Sequence, residues 1–168
     1  MYNVCVCVRT ITRGSMGLKN FSVNAGPMDP KWSQRLEEEI LALVSLVEEN
    51  SENGNDWFNI EPVDDSGIKW TGTCSHVYDM QRYTFKVKFE IPAMYPMAPI
   101  EVELPELDGL TSKMYRGGKI CLDLHFAPLW RSNAPKFGIV HALTFALGPW
   151  LAAEIPYLMG TGVIVSNV

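Results

Sequence analysis

One segment of this chain alternates between apolar and polar side chains with particular regularity. Between Tyr83 and Ile91, an apolar residue occupies every second position. Successive side chains of a β-strand point to opposite faces, so this period of two predicts a strand with one buried face. Antiparallel sheets commonly cover one face and leave the other in water. The segment therefore predicts an antiparallel sheet that other elements of the chain must cover.

The neighbouring segments supply those elements. Asp29 is the predicted N-cap of an amphipathic helix over residues 31–50, with Pro30 in the first helical position. Leu36, Ile40, Leu43 and Val47 lie on its predicted buried face, and acidic residues form a solvated face. Further strands are predicted over residues 57–62, 68–77 and 100–104. A helix, a meander of four strands and a second helix predict an α+β fold.

The second predicted helix is apolar nearly all round. It begins close to Asn133, with Pro135 in its first turn, and Gly148-Pro149 is expected to break or kink it before a short last helix over residues 154–159. The apolar run over residues 137–153 is shorter than the roughly 20 residues that span a membrane. We therefore expect a buried core helix.

Length and charge narrow the class of protein. The chain has 168 residues, which favours one domain, with an N-terminal extension over residues 1–22 and a single domain over residues 23–168. Met16 is a candidate for the true start of translation. The formal net charge of −5 disfavours nucleic acid as a partner, because nucleic-acid-binding proteins usually carry a basic surface.

The four cysteines are Cys5, Cys7, Cys74 and Cys121, and no two of them form a CxxC pair. This spacing argues against a zinc ribbon and against a disulfide framework. No metal site is expected from the three scattered histidines. A reducing cytosolic setting and no secretory signal are predicted.

Cys121 has the sequence surroundings of a reactive thiol. It lies in a stretch without periodicity, residues 105–133, and long irregular stretches in compact domains tend to be functional. Nearby positive charge favours the nucleophilic thiolate. The cationic neighbours are Lys113, Arg116, Lys119 and His125. Cys74 lies in an alternating strand and is predicted to be a core residue.

A proline-rich segment and the cysteine segment together identify a known pattern. Residues 91–99 read Ile-Pro-Ala-Met-Tyr-Pro-Met-Ala-Pro, and residues 118–124 read Gly-Lys-Ile-Cys-Leu-Asp-Leu, followed by Trp130 and the apolar helix. This combination resembles the ubiquitin-conjugating-enzyme superfamily. The resemblance implies an N-terminal helix, a four-stranded meander, a proline-rich turn, a cysteine loop and a central helix, in that order.

Two departures from that superfamily narrow the resemblance. Where most members carry His-Pro-Asn, this chain has Thr111-Ser112-Lys113, and the roughly seventeen residues after Leu151 leave a shortened C-terminus. In both respects the chain is similar to the family that conjugates ubiquitin-fold modifier 1, over residues 24–164. That family usually continues Leu-Thr-Asp-His-Phe after its cysteine. Here Asp123 lies one place nearer Cys121, while His125 keeps its place.

The resemblance implies a transferase mechanism without a cofactor. Cys121 would accept ubiquitin-fold modifier 1 as a thioester from its activating enzyme and pass it, with a ligase, to substrate lysines. Lys113 would stabilise the oxyanion, and Thr111 would order the loop. His125 or Asp123 would orient the lysine or accept its proton. The resemblance further implies a cytoplasmic location, recruitment to the endoplasmic reticulum surface through the ligase, and no direct insertion into a membrane.

Two alternatives stay open at this stage. Some members of the superfamily have lost cysteine chemistry and act as binding modules for ubiquitin-like proteins. A cysteine hydrolase is the other alternative, and it requires a histidine base beside the thiol. The candidates are His76, His125 and His141, of which His141 is expected in the core. Spacing does not show that any of them meets Cys121.

Overall fold

The alternating segment and its neighbours form the central sheet of the domain. The computed structural model describes residues 18–164, and the interpretations of residues 1–17 lie outside them. The first helix, α1, spans Trp32–Glu52. The sheet has six strands in the order β1-β2-β3-β4-β6-β5. The strands are β1 Phe58–Pro62, β2 Lys69–Tyr78, β3 Gln81–Glu90, β4 Glu101–Glu103, β5 Met114–Tyr115 and β6 Lys119–Ile120.

Strand β3 carries the predicted alternation into the core. Phe85, Val87 and Phe89 are buried, and the residues between them are exposed. The antiparallel partner β2 places Cys74 opposite Phe85 and Trp70 opposite Phe89. The predicted antiparallel meander of four strands is confirmed. Strands β5 and β6 add a short hairpin at its edge.

The apolar segment forms one long core helix, α3, over Ile139–Gly160. The predicted first residues of this helix were wrong, because its N-cap is Gly138. Asn133 instead ends a separate short helix, α2, over Ala127–Asn133. The helix does not break at Gly148-Pro149 and includes the predicted last helix. A π-helical turn over Leu143–Leu147 interrupts the α-helical pattern of α3, which resumes at Gly148. Pro149 therefore lies in the first turn of the resumed segment, where a missing N–H is tolerated.

Helix α3 is long and apolar enough to cross a membrane by length and composition. In this fold, 61% of its most apolar window is buried inside the domain. Leu143, Leu147, Leu151 and Ile155 are each at most 1% exposed. The apolar character of α3 is therefore accounted for by core packing.

Helix α1 differs from its prediction at the cap and at one end of the predicted buried face. Asp29 accepts the N–H of Lys31 at 2.8 Å, but Lys31 is the N-cap residue and the helix begins at Trp32. The fully buried positions are Arg35, Glu39 and Leu43, spaced four residues apart, whereas Val47 is 39% exposed. The predicted face is nevertheless largely present, because Leu36 and Ile40 are partly buried against the core and Leu43 is buried within it. The ion pair of Arg35 and Glu39 adds two buried charged residues that the sequence did not predict.

Arg35 and Glu39 form the polar centre of the domain. The Arg35 guanidinium donates to Glu39 at 2.9 Å and to the backbone carbonyls of Val23, Pro135 and Phe137 at 2.7–3.1 Å. The Glu39 carboxylate accepts the N–H of Ile139 at 2.9 Å, which ties α1 to the start of α3. These two side chains therefore join three separate segments of the chain.

Residues 18–22, which the sequence assigned to the N-terminal extension, pack against the domain. Phe21 is 9% exposed, and its ring lies 4.3 Å from the Arg35 guanidinium. Its N–H donates to the carbonyl of Lys136 at 2.9 Å. Glu38 was expected on the solvated face, but it accepts the N–H groups of Ser22 and Val23.

The core also contains a histidine whose titration is coupled to folding. Burial, with a contribution from Arg35, lowers the pKa of His141 from 6.5 to about 4. Between these two values the unfolded chain binds more protons than the folded one, so His141 reduces stability as the pH falls from 6.5 to 4. We expect the free energy of unfolding of His141→Gln to fall less over this interval. Urea denaturation at pH 7, 6 and 5 measures the free energy of unfolding of both proteins. The same pH dependence in the wild-type chain and the variant would contradict the prediction.

Candidate active site

The site is built on the β5–β6 hairpin. Met114 pairs with Ile120 and Tyr115 with Lys119. The N–H of Cys121 donates to the carbonyl of Lys113 at 2.9 Å, which places Lys113 opposite Cys121 in the continued ladder. Residues opposite each other in a ladder share a face, and alternate residues share it too. Because Ile120 is buried, the side chains of Lys113, Tyr115 and Cys121 lie together on the outer face.

Two glycines close this hairpin. Gly117 and Gly118 have φ angles of +87° and +78°, a region that favours glycine. Both N–H groups donate to Oδ1 of Asp108 at 3.0 Å. The carbonyl of Gly118 accepts the N–H of Leu104 at 2.8 Å, which joins the turn to the end of β4. The turn is therefore fixed on both sides.

The two glycines are expected to respond differently to alanine. A Cβ atom at Gly118 would lie 2.6 Å from the carbonyl oxygen of Leu104, whereas one at Gly117 would meet no atom within 4 Å. Both variants carry backbone strain of about 1–3 kcal/mol. We expect Gly118→Ala to lose roughly 1–3 kcal/mol more, because of overpacking. Chemical denaturation measures the free energy of unfolding of both variants. Equal losses would contradict the predicted clash between a Cβ atom at residue 118 and the carbonyl of Leu104.

Helix α3 holds the segment that precedes the hairpin. The hydroxyl of Thr111 donates to Glu154 at 2.7 Å and accepts the N–H of Lys113 at 3.1 Å. The indole N–H of Trp150 donates to the carbonyl of Lys113 at 3.0 Å. Thr111 thus makes the side-chain hydrogen bonds expected of a residue that orders the loop, and its part in catalysis stays a prediction.

Cys121 is a half-buried free thiol, whereas Cys74 is buried. Burial raises the pKa of Cys74 to about 12, with a contribution from Glu106, so Cys74 is protonated and inert at neutral pH. Cys74 is the core residue that the sequence predicted. The segment that follows Cys121 is open to solvent, and Leu124 is 79% exposed. The Cys121 sulfur therefore lies beside a surface that another polypeptide can reach.

The sulfur of Cys121 is hydrogen-bonded to a phenol, which is itself bonded to a carboxylate. The thiol of Cys121 donates to the Tyr115 oxygen at 3.6 Å. The Tyr115 hydroxyl in turn donates to Oδ2 of Asp123. The hydrogen bond to Asp123, followed by the contact with Cys121, raises the pKa of Tyr115. The cationic surroundings expected from the sequence are only partly present, because Lys119 forms an ion pair with Glu101 at 2.5 Å.

The predicted histidines do not meet the cysteine. His125 is exposed, and in residues 18–164 its ring has no hydrogen-bond partner. His141 is buried and accepts the N–H of Gly138 at 3.0 Å, and His76 lies in β2 opposite Tyr83. In the part of the chain that the structure describes, no histidine is hydrogen-bonded to Cys121. The geometry therefore gives no support to a cysteine hydrolase.

Several residues of the site were not found by sequence reasoning. Trp150 and Glu154 hold the loop from a helix that is distant in the sequence, and nothing local marks them. Asp108 lies in the same irregular stretch as the glycines it binds, but no pattern singles it out. The position of Tyr115 could have been predicted from the sequence. A hairpin that turns at Gly117-Gly118 places residue 115 opposite residue 119, and residue 119 lies on the same face of the strand as Cys121. Over residues 18–164, no group of three His, Cys, Asp or Glu side chains could hold a metal ion.

Comparisons with known proteins give the class of the chain. A family model described as "Ubiquitin-fold modifier-conjugating enzyme 1" matches residues 13–165. The enzyme of that name from Oryza sativa is 51% identical over 144 residues, covering 85% of this chain and 78% of the relative. The Trichoplax adhaerens enzyme is 53% identical over 142 residues, covering 84% of each.

A solved structure of human ubiquitin-conjugating enzyme E2 G1 aligns with 70% of this chain and 97% of its own, with a TM-score of 0.49 and 17% identity. The family match defines the class as a modifier-conjugating enzyme, which is a transferase, and the described residues have an α+β architecture. Within that class, the chain belongs to the family of ubiquitin-fold modifier-conjugating enzyme 1.

Proposed function

We propose that this enzyme carries ubiquitin-fold modifier 1 as a thioester on Cys121. The observation that carries the proposal is the half-buried free thiol of Cys121, on a hairpin that the core helix holds and beside an exposed segment. The other thiol among residues 18–164 is buried and inert, so it cannot take this role.

The first step is a thiol–thioester exchange. The sulfur of Cys121 attacks the carbonyl carbon at the C-terminus of the modifier, and the sulfur of the activating enzyme leaves. One thioester replaces another, so the exchange needs neither a nucleotide nor a metal at this site. Its rate depends on the thiolate fraction of Cys121 and on access to the sulfur.

In the second step a lysine amine attacks the thioester and forms a tetrahedral oxyanion, with a ligase bringing the substrate. Lys113 lies opposite Cys121 on the same face and supplies positive charge near that oxyanion. Thr111 orders the preceding loop. Asp123 and His125 are both exposed in the segment that follows Cys121. Either would orient the incoming lysine or accept its proton. The enzyme acts in the cytoplasm and at the endoplasmic reticulum surface, to which the ligase recruits it.

A loading assay analysed by gel electrophoresis distinguishes a conjugating enzyme from an inactive binding module. The protein is mixed with the modifier, its activating enzyme and ATP, and we expect an adduct that a thiol reductant removes. Cys121→Ser should give an adduct that resists the reductant, because an oxyester replaces the thioester. Cys74→Ala is the matched control and should load like the wild-type chain. Binding of the modifier without an adduct would instead indicate an inactive binding module.

A further inference from the structure

A tyrosine occupies the position next to the reacting sulfur. The Tyr115 oxygen lies 3.6 Å from Sγ of Cys121, and its ring is half exposed on the outer face of the hairpin. The register of the hairpin fixes this contact, because residue 115 lies two positions after the residue opposite Cys121. We propose that Tyr115 is a further catalytic residue, whose hydroxyl bonds to the reacting sulfur and whose proton is directed by Asp123.

A phenol has one proton to give. In the free enzyme Tyr115 donates that proton to the Asp123 carboxylate, so its oxygen can only accept from the thiol of Cys121. This arrangement stabilises the protonated thiol and leaves a thiolate without a donor from the phenol. Lys113, opposite Cys121, is a cation on the same face and acts in the other direction, whereas Lys119 is paired with Glu101. The Asp123–Tyr115 pair therefore restrains the nucleophilicity of the free thiol.

Tyr115 and Asp123 also act in the discharge of the thioester. This second role rests on the proposed function. An incoming lysine gives the Asp123 carboxylate a competing N–H donor, and the Tyr115 proton can then turn toward the sulfur. The amine nitrogen bonds to the carbonyl carbon, the C–S bond breaks, and its electron pair returns to sulfur. The amine proton leaves to water through Asp123. Tyr115 donates a hydrogen bond to the departing thiolate.

Alkylation of Cys121 tests the first part without any partner protein. Iodoacetamide is added at pH 7, and the modification of Cys121 is followed by peptide mass spectrometry, which separates it from the other cysteines. We expect Asp123→Asn to raise the rate about threefold or more, because the phenol proton becomes available to the thiolate. In a Tyr115→Phe background, the same Asp123→Asn change should have almost no effect.

Comparing Asp123→Asn in the wild-type chain and in Tyr115→Phe shows whether Asp123 acts on the sulfur through Tyr115 or directly through its charge. Equal acceleration in both backgrounds would show that the Asp123 charge acts directly on the sulfur and would overturn the proposal, as would no acceleration in either. Asp65→Asn is the matched control, since it removes one exposed carboxylate in the turn before β2 and should leave the rate unchanged.

Discharge of the thioester onto free lysine tests the second part. We expect Tyr115→Phe to discharge at least about fivefold more slowly than the wild-type chain, from the loss of a hydrogen bond to a charged group. The control is Tyr78→Phe, at the end of β2, with no expected change. An unchanged discharge rate for Tyr115→Phe would overturn this step. If no thioester forms at all, the proposed function fails, while the alkylation result still decides on the Asp123–Tyr115 pair.

Discussion

The Lys113→Ala variant is expected to discharge its thioester onto free lysine about 100-fold more slowly than the wild-type chain, with a much smaller effect on loading. A preorganised donor at the oxyanion is typically worth about 10²–10³ in rate. Lys113 lies opposite Cys121 on the outer face of the hairpin, and in residues 18–164 no ion pair engages its ammonium group. Single-turnover discharge, followed after the activating enzyme is stopped, measures the effect.

Lys119 provides the matched control for Lys113. It lies in the same hairpin, but its ammonium group is bound to Glu101 at 2.5 Å. Lys119→Ala should therefore change discharge little. Lys113→Arg separates charge from shape, because a guanidinium keeps the positive charge but has a planar, forked geometry. Discharge of Lys113→Ala within twofold of the wild-type rate would rule out the oxyanion role.

Arg35→Ala is expected to lower the free energy of unfolding by about 3–5 kcal/mol, the usual loss when one partner of a buried ion pair is removed. The variant leaves the Glu39 carboxylate buried without its counter-ion and deprives the carbonyls of Val23, Pro135 and Phe137 of a donor. Each kcal/mol lowers the melting temperature of a domain this size by about 2–4 °C. Urea denaturation and thermal melting measure the loss.

The matched comparison for Arg35→Ala replaces both charges. In Arg35→Met/Glu39→Leu no charge is left unpaired, so we expect much of the lost stability to return, although the three carbonyls stay without a donor. Recovery by the double variant would show that the unpaired carboxylate causes most of the loss. A loss below about 1 kcal/mol for Arg35→Ala would contradict a central role of the pair.

The sheet and the core helix could be predicted because their signals are local and repeated. The period of two over Tyr83–Ile91 requires no knowledge of a partner, and the buried residues of β3 follow it. The N-terminal helix was predicted within two residues at each end, and Leu36, Ile40 and Leu43 of its predicted buried face pack in or against the core, but the burial of Arg35 and Glu39 was not predicted. Arg35 and Glu39 look like surface residues in the sequence, and only contacts with distant segments make their burial favourable.

The interval between β4 and α3 was the least predictable part of the fold. Residues 105–133 lack periodicity because their elements are too short to show one: a 3-10 turn at Pro105–Leu107, two strands of two residues, and the seven-residue helix α2. The glycines and Cys121 marked this interval as functional. The residues that orient the site from α3, Trp150 and Glu154, could not be found without the fold.

The anchoring of the site on α3 has a mechanical consequence for a carrier protein. If Cys121 carries a folded modifier as proposed, the modifier would pull on the hairpin as it diffuses about its point of attachment. The hydrogen bonds of Thr111 to Glu154 and of Trp150 to the Lys113 carbonyl pass this load into the longest buried helix of the domain. Movement of a bound modifier would then occur by rotation about the single bonds of the linkage, while the hairpin keeps its position on α3.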